Sequence, residues 1–144
     1  MAVDERIAAL IPHAGTMCLL ERIEHWGASS VTLATTTHRN PDHPLATPSG
    51  LRAIHLCEYG AQAMAVHGGL SARARGERAL PGLLVSLRDV ALHCDFIHEL
   101  AGELIVEATR LHDSGAAWQY SFRVLHAGAL LAQGRATVSA LPAA

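Results

Sequence analysis

The stretch that most constrains this chain runs from Gly50 to Gly68, GLRAIHLCEYGAQAMAVHG. It holds no proline and only Gly60 in its interior, so the sequence predicts roughly four to five turns of helix. Leu51, Ile54, Leu56, Cys57, Ala61, Met64 and Val66 leave almost no solvated face. A helix apolar nearly all round belongs inside a protein, and this one is too short and too punctuated to span a membrane. At about 100° per residue, His55, Glu58 and Gln62 fall within roughly 60° of one another, a narrow polar stripe on a buried rod. A carboxylate there must be paired, neutralised or employed, because burying a bare charge is expensive.

The 144 residues fit one domain, 1–144, long enough to bury most of its apolar surface. With 50% hydrophobic and 17% charged residues the chain reads as globular. A formal net charge of -2 argues against a nucleic-acid surface. Cys18, Cys57 and Cys94 show no CxxC spacing, and their odd number argues against a disulfide framework. The N-terminal MAVDERIAALIPH carries acids early and lacks a long apolar core, so a cytoplasmic protein without signal peptide or membrane span is expected.

Around the helix the chain reads mostly as strand. Asp4 to Leu10 is a short helix capped by Asp4 and ended by Pro12. Met17 to His25 and Ser30 to His38 form a hairpin, the second rich in β-branched residues. Arg39 to Ser49 has three prolines and is a loop; Ser71 to Arg78 is a small basic loop. Leu83 to Leu92, Glu103 to His112, Ala117 to His126 and Leu130 to Ala140 are four further strands. The turn signals Asp113-Ser114-Gly115 and Ala127-Gly128 make the last three an antiparallel meander. One helix among six antiparallel strands predicts an α+β fold in which a curved sheet wraps the helix, with Gly60, Ala61, Ala63 and Ala65 permitting close approach. The apolar helix side that one sheet leaves uncovered asks for a partner, most simply a second copy on a two-fold axis.

Three segments carry a resemblance. Ile11 to Ile23, IPHAGTMCLLERI, is similar to an LPHRYPFLLVDRV-type opening. Glu58-Tyr59-Gly60-Ala61-Gln62-Ala63 is similar to an E-A-M-A-Q-A helix, and GELIVEATRL and GALLAQGRATVSA to a pair of final strands. Over almost its whole length the chain resembles the hot-dog-fold β-hydroxyacyl-ACP dehydratases, closest to their divergent branch in aryl-polyene and related fatty-acid-like pathways. The main family carries H-F-P-G-x-P-x-x-P-G before its helix. Here the region reads His43-Pro44-Leu45-Ala46-Thr47-Pro48-Ser49-Gly50, with His43 one residue farther from the glutamate than the family histidine. Matching His38-Arg39-Asn40-Pro41 to the end of the preceding family strand instead leaves the histidine position empty.

The resemblance implies dehydration of a 3-hydroxyacyl thioester on acyl carrier protein to the trans-2-enoyl product. A histidine removes the α-proton, Glu58 assists departure of the β-hydroxyl, and the two come from different subunits of a homodimer, a higher homo-oligomer or a pair with a related dehydratase subunit. No cofactor is implied. Glu58 and His43 are the catalytic candidates; Gly50, His55 and Gln62 are the substrate-binding ones. Each has a plain structural alternative: a buried acid satisfied by arginine or backbone donors, an exposed loop histidine, an N-terminal turn, a satisfied core amide. His38 and His55 are further candidates for the base. Arg73, Arg75 and Arg78 either receive an acidic carrier or form a solvated loop. No HExxH or HxxxH spacing supports a metal, and no GxSxG, P-loop or dinucleotide fingerprint is present. A hot-dog thioesterase, with the helix acid activating water, and a non-catalytic dehydratase-like subunit are the alternative functions.

Overall fold

The computed structural model describes residues 5–11, 15–79 and 82–141; the expected cap Asp4 and helix stop Pro12 lie outside them. Six strands form one antiparallel sheet: β1 (Arg22–Trp26), β2 (Ser30–Thr35), β3 (Gly82–Leu92), β4 (Leu104–Asp113), β5 (Ala117–His126) and β6 (Ala129–Ala140), in the order β1-β2-β4-β5-β6-β3. The long helix α2 (Leu56–Ala74) lies against β2, β4, β5 and β6, and the short α1 (Glu5–Leu10) packs on α2. This is the expected α+β hot-dog arrangement. The meander of β4, β5 and β6 is as read from the turns, while β3 crosses to the far side of β6.

The core forms where strand alternation meets the apolar helix. Val31 and Leu33 on β2, Leu104, Val106 and Ala108 on β4, and Tyr120, Phe122 and Val124 on β5 are all buried. Burying a side chain of the Val, Leu or Phe class contributes about 1.5–3 kcal/mol. The centre of the contact is Gly60, where an added Cβ would stand 2.5 Å from Phe122 Cγ. The small residue on the helix therefore lets the ring seat on its backbone. Farther along, buried His67 ties α2 to two other elements: its Nε2–H donates to the Gly27 carbonyl (3.0 Å), and its Nδ1 accepts from the Tyr120 hydroxyl (2.8 Å).

Two boundaries differ from the sequence reading. The helix does not start at Gly50. Leu51 to Ala53 runs extended beside Asp95 to Ile97, with the Ala53 amide donating to the Asp95 carbonyl and the Ile97 amide to the Leu51 carbonyl, each at 2.9 Å. A 3-10 turn (Ala53–His55) then leads into α2, so His55 precedes the helix proper. Nor does it end at Gly68. Leu70 and Ala72 are still buried, and burial carries the helix through Gly68-Gly69 to a stop before Gly76, at φ +71. The first four residues of the expected basic loop, Ser71 to Ala74, are thus helical.

The first strand is shorter than its apolar run. Ladder pairing begins at Arg22, opposite Ala34. Leu19 is fully buried but its backbone bonds to side chains: its N–H donates to Gln62 Oε1 (2.9 Å) and its carbonyl accepts from the Thr35 (2.6 Å) and Thr37 (2.7 Å) hydroxyls. The uncovered apolar surface also lies elsewhere than expected. Twelve of the nineteen residues of α2 are buried, whereas the edge strand β3 exposes Leu83 (54%), Leu84 (45%) and Val85 (54%), with Leu87, Val90 and Leu92 behind them.

Candidate active site

The polar stripe on α2 is built around Gln62. Its side chain is fully buried. Oε1 accepts from the Leu19 amide, which fixes the amide orientation; Nε2 then donates to the Met17 carbonyl (2.7 Å) and to Glu58 Oε1 (3.2 Å). Glu58, one turn earlier on the first turn of α2, is half-buried. Its position is therefore set through Gln62 by the Met17–Leu19 segment, a link between two parts of the chain 45 residues apart at its longer span. The predicted pair Glu58 and Gln62 is brought together.

The histidines gather elsewhere. His43 is buried, and the Leu45 amide donates to its Nδ1 at 3.1 Å. That donor places the ring proton of neutral His43 on Nε2, which lies 3.1 Å from Tyr59 Oη. The Tyr59 hydroxyl then donates to Thr37 Oγ1 (2.8 Å) and Thr37 to the Leu19 carbonyl. One directional chain thus joins the loop, the helix and the segment that also holds Gln62. Burial, reinforced by the nearby His55 and His38, holds His43 below the ordinary histidine range; burial also pushes the Tyr59 phenol well above its usual value. His55 is half-buried and acts here as an electrostatic neighbour of His43.

His38, in a 3-10 turn (Thr37–Arg39) at the end of β2, is fully buried. Its Nε2–H donates to the Leu100 carbonyl at 2.8 Å, and its Nδ1 has no partner among the described residues. Burial, opposed in part by the Leu100 hydrogen bond, lowers its proton affinity. His38, His43, Gly50 and His98 line one cleft of about 310 Å³ together with the 39–49 loop. Glu58 is not among the residues that line it.

Gly50 is placed in a tight turn instead of at the helix start. Its N–H donates to the Thr47 carbonyl and its carbonyl accepts from the Thr47 amide, both at 2.9 Å, with φ +118. An added Cβ would stand 2.0 Å from His98 Cε1, so both the backbone angle and the ring above it demand glycine. The next amide, Leu51 N–H, donates to His98 Nδ1 at 3.1 Å. Both amides at this turn are thus engaged within the protein, and His98 in its neutral form presents Nε2–H.

The sequence reading missed Tyr59, Thr37 and His98. The tyrosine stands where the E-A-M-A-Q-A pattern has alanine, which was the available signal; nothing local marks His98 or Thr37. A more open polar hollow of about 450 Å³ adjoins the cleft and is bounded by Glu21, Thr36, Thr37, Arg39 and Asn40. Buried Glu21 accepts from the Thr36 amide and from its hydroxyl (2.8 Å). Among the described residues no group of three or more His, Cys, Asp or Glu is placed to hold a metal ion, and no helix is long and apolar enough to cross a membrane.

Comparison with known proteins adds to this geometry. Residues 5–143 match the ApeP-like family, described as ApeP dehydratase. Among solved structures the chain is similar to the dehydratase heterocomplex ApeI:P from Xenorhabdus doucetiae, at 22% identity and a TM-score of 0.84, covering 94% of this chain and 91% of that one. It is similar to AziG of S. sahachiroi at 18% identity and a TM-score of 0.63, covering 93% and 99%. A hypothetical thioesterase protein with coenzyme A from Streptococcus pneumoniae is similar at 12% identity and a TM-score of 0.64, covering 83% and 84%. No curated protein sequence matches significantly.

Proposed function

The chain belongs to the ApeP-like dehydratase family, and from that premise we propose that it serves in removing water from a 3-hydroxyacyl thioester on acyl carrier protein, giving the trans-2-enoyl product of a fatty-acid-like or aryl-polyene pathway. The observation that carries this reading is the Glu58–Gln62 pair: a half-buried carboxyl on the central helix, aimed by an amide that is itself anchored to a second element. In the reaction an imidazole removes the α-proton, which the thioester acidifies. Glu58 gives a proton to the departing β-hydroxyl, and the positive end of α2 favours the charge that develops on the thioester oxygen. The family motif points to His43, with His38 and His55 as the other candidates for the base, and His55 is an electrostatic neighbour of His43. Gly50 shapes the cleft wall through its turn.

On one chain Glu58 stands outside the histidine-lined cleft, which supports a site completed by a neighbouring subunit. The surface for that neighbour is β3, whose outer edge is unpaired by the rest of the sheet and whose exposed Leu83, Leu84 and Val85 lie on it. The partner is a second copy or a related dehydratase subunit. The likeness to a dehydratase heterocomplex favours a second reading on the same surface, in which this chain supports a catalytic partner.

The test is an assay on 3-hydroxyacyl- and enoyl-carrier substrates, with the chain alone and with a related dehydratase subunit. Enoyl product from the chain alone supports the dehydratase reading. Product only when both are present, and retained when Glu58 of this chain is changed, supports the supporting-subunit reading. Release of free thiol without enoyl product would make it a thioesterase.

A further inference from the structure

Two buried imidazoles line the cleft, and their basic nitrogens are committed differently. A neutral imidazole has one N–H and one lone pair available to accept a proton. In His43 the lone pair on Nδ1 already faces the Leu45 amide, and the Nε2 proton is given to Tyr59. Both ring nitrogens serve to hold the 40–50 loop. In His38 the hydrogen bond to the Leu100 carbonyl fixes the proton on Nε2, leaving Nδ1 as the basic nitrogen, buried and with no partner among the described residues. A buried acceptor without a donor is destabilising, and a catalytic role is one of the explanations such a group calls for.

The ring is also held rigidly from behind. Thr37, the preceding residue, is clamped between Tyr59 and the Leu19 carbonyl, and Leu100 caps the far nitrogen. This is the arrangement a general base needs, with one nitrogen anchored and the other kept free.

Resting on the dehydratase reading above, we propose that His38, in the wall of the cleft, is the proton acceptor of the reaction through its Nδ1, and that His43 is a positioning residue that shapes the loop. The α C–H bond breaks and its proton passes to His38 Nδ1. The electron pair left behind forms the Cα–Cβ double bond as the Cβ–O bond breaks. The departing oxygen takes its proton from the Glu58 carboxyl contributed by a neighbouring subunit and leaves as water. The imidazolium then returns one proton to the Glu58 carboxylate, which resets both groups. Burial keeps the His38 ring uncharged near neutral pH, so it enters the cycle ready to accept.

The test combines ring spectroscopy with a pH profile. Nitrogen-detected NMR of 15N-histidine protein should show His38 as the Nε2–H tautomer, with a Nδ1 resonance that shifts when a 3-hydroxyacyl N-acetylcysteamine thioester is added. The His43 resonances should move less. His38→Gln keeps an N–H able to reach the Leu100 carbonyl but removes the basic nitrogen. It should fold, lose about 10²–10⁴-fold in kcat/KM and lose the acid limb of the pH profile. His43→Asn should lose about 10–100-fold and keep that limb.

Parent-like kcat/KM with an intact acid limb in His38→Gln would overturn the proposal while leaving the dehydratase reading standing. A parent protein that turns over no thioester would count against the dehydratase reading instead. In that case the Nδ1 shift decides: a His38 ring unmoved at saturating thioester removes it from the site. The same shift, read on the parent, also decides if His38→Gln fails to fold.

Discussion

Gln62 Nε2 lies 3.2 Å from Glu58 Oε1, and the same amide group spans the Met17 carbonyl and the Leu19 N–H. Three groups from two distant parts of the chain are thereby satisfied by one side chain. A helix residue that looks like a second polar group beside an acid is in fact the joint between the helix and the segment before β1.

Removing that joint should be costly. Gln62→Ala leaves the Leu19 N–H and the Met17 carbonyl without their side-chain partner in a buried place. At about 1–3 kcal/mol for each group, a loss of roughly 2–5 kcal/mol is expected. Urea unfolding measures it, and an unchanged midpoint would show that the joint does not hold the segment.

The contact of Gly60 with Phe122 makes a prediction of opposite sign to helix propensity. Alanine at an ordinary helix position gains about 1 kcal/mol over glycine. Here its Cβ would meet the ring at 2.5 Å, so Gly60→Ala should lower stability by about 1–3 kcal/mol. Adding Phe122→Leu should return at least about 0.5 kcal/mol of coupling, read from a double-mutant cycle. A more stable single variant would show that the ring moves aside freely.

The helix, the six strands and the Glu58–Gln62 spacing were legible because each is a periodic or local signal. The ends of the helix were not. Gly50 marks a turn locked by Thr47 and roofed by His98, and that ring arrives from a segment after β3. Gly68-Gly69 looks like a stop only until the buried Leu70 and Ala72 are seen to continue the packed face. The histidines were harder still. His43 and His38 are alike in sequence, and what separates them is a Leu45 amide two residues on and a Leu100 carbonyl 62 residues away. No pattern in the chain encodes the second.

Stability should fall in mild acid. His38, His43 and His67 all sit below the ordinary histidine value, chiefly through burial; Arg110 adds to the effect at His67. In the unfolded chain they titrate near pH 6.5, about the model-peptide value. Below that pH the unfolded state binds more protons than the folded one, so stability is full above it and is lost as pH falls toward the depressed folded values. Each group contributes at most about 1.4 kcal/mol per pH unit in its window. Protonating His67 also removes the lone pair that accepts the Tyr120 hydroxyl, whose own proton affinity is pushed up to about 12. Melting temperatures from pH 8 to 5 check this, and His67→Gln should flatten the slope. A slope unchanged in that variant would assign the effect to other groups.

The exposed strand predicts assembly. If β3 is covered by a second subunit, Leu83→Lys with Val85→Lys should shift sedimentation at micromolar concentration toward a folded species of 15.3 kDa. The change lies on a strand edge away from α2, so circular dichroism should remain that of the parent. A parent chain that already sediments as a folded monomer would leave a different partner to cover β3.

Glu58→Gln tests the centre of the proposed chemistry. If Glu58 is structural and ionic, replacing it strands a buried partner charge and should cost about 3–5 kcal/mol. If it is held for its proton, the change is nearly isosteric and still offers an acceptor to Gln62 Nε2 in the 3.2 Å contact. Stability should then hold or rise, as often happens when a functional group is removed. Turnover of 3-hydroxyacyl thioester should nevertheless fall by about 10²–10⁴-fold. The two quantities are measured together, thermal melting and dehydration rate per folded molecule, on parent and variant in the same buffer. The expected outcome is an unchanged melt with lost turnover. A variant that melts far lower yet turns over normally would remove Glu58 from the chemistry, leaving the helix carboxyl as part of the frame.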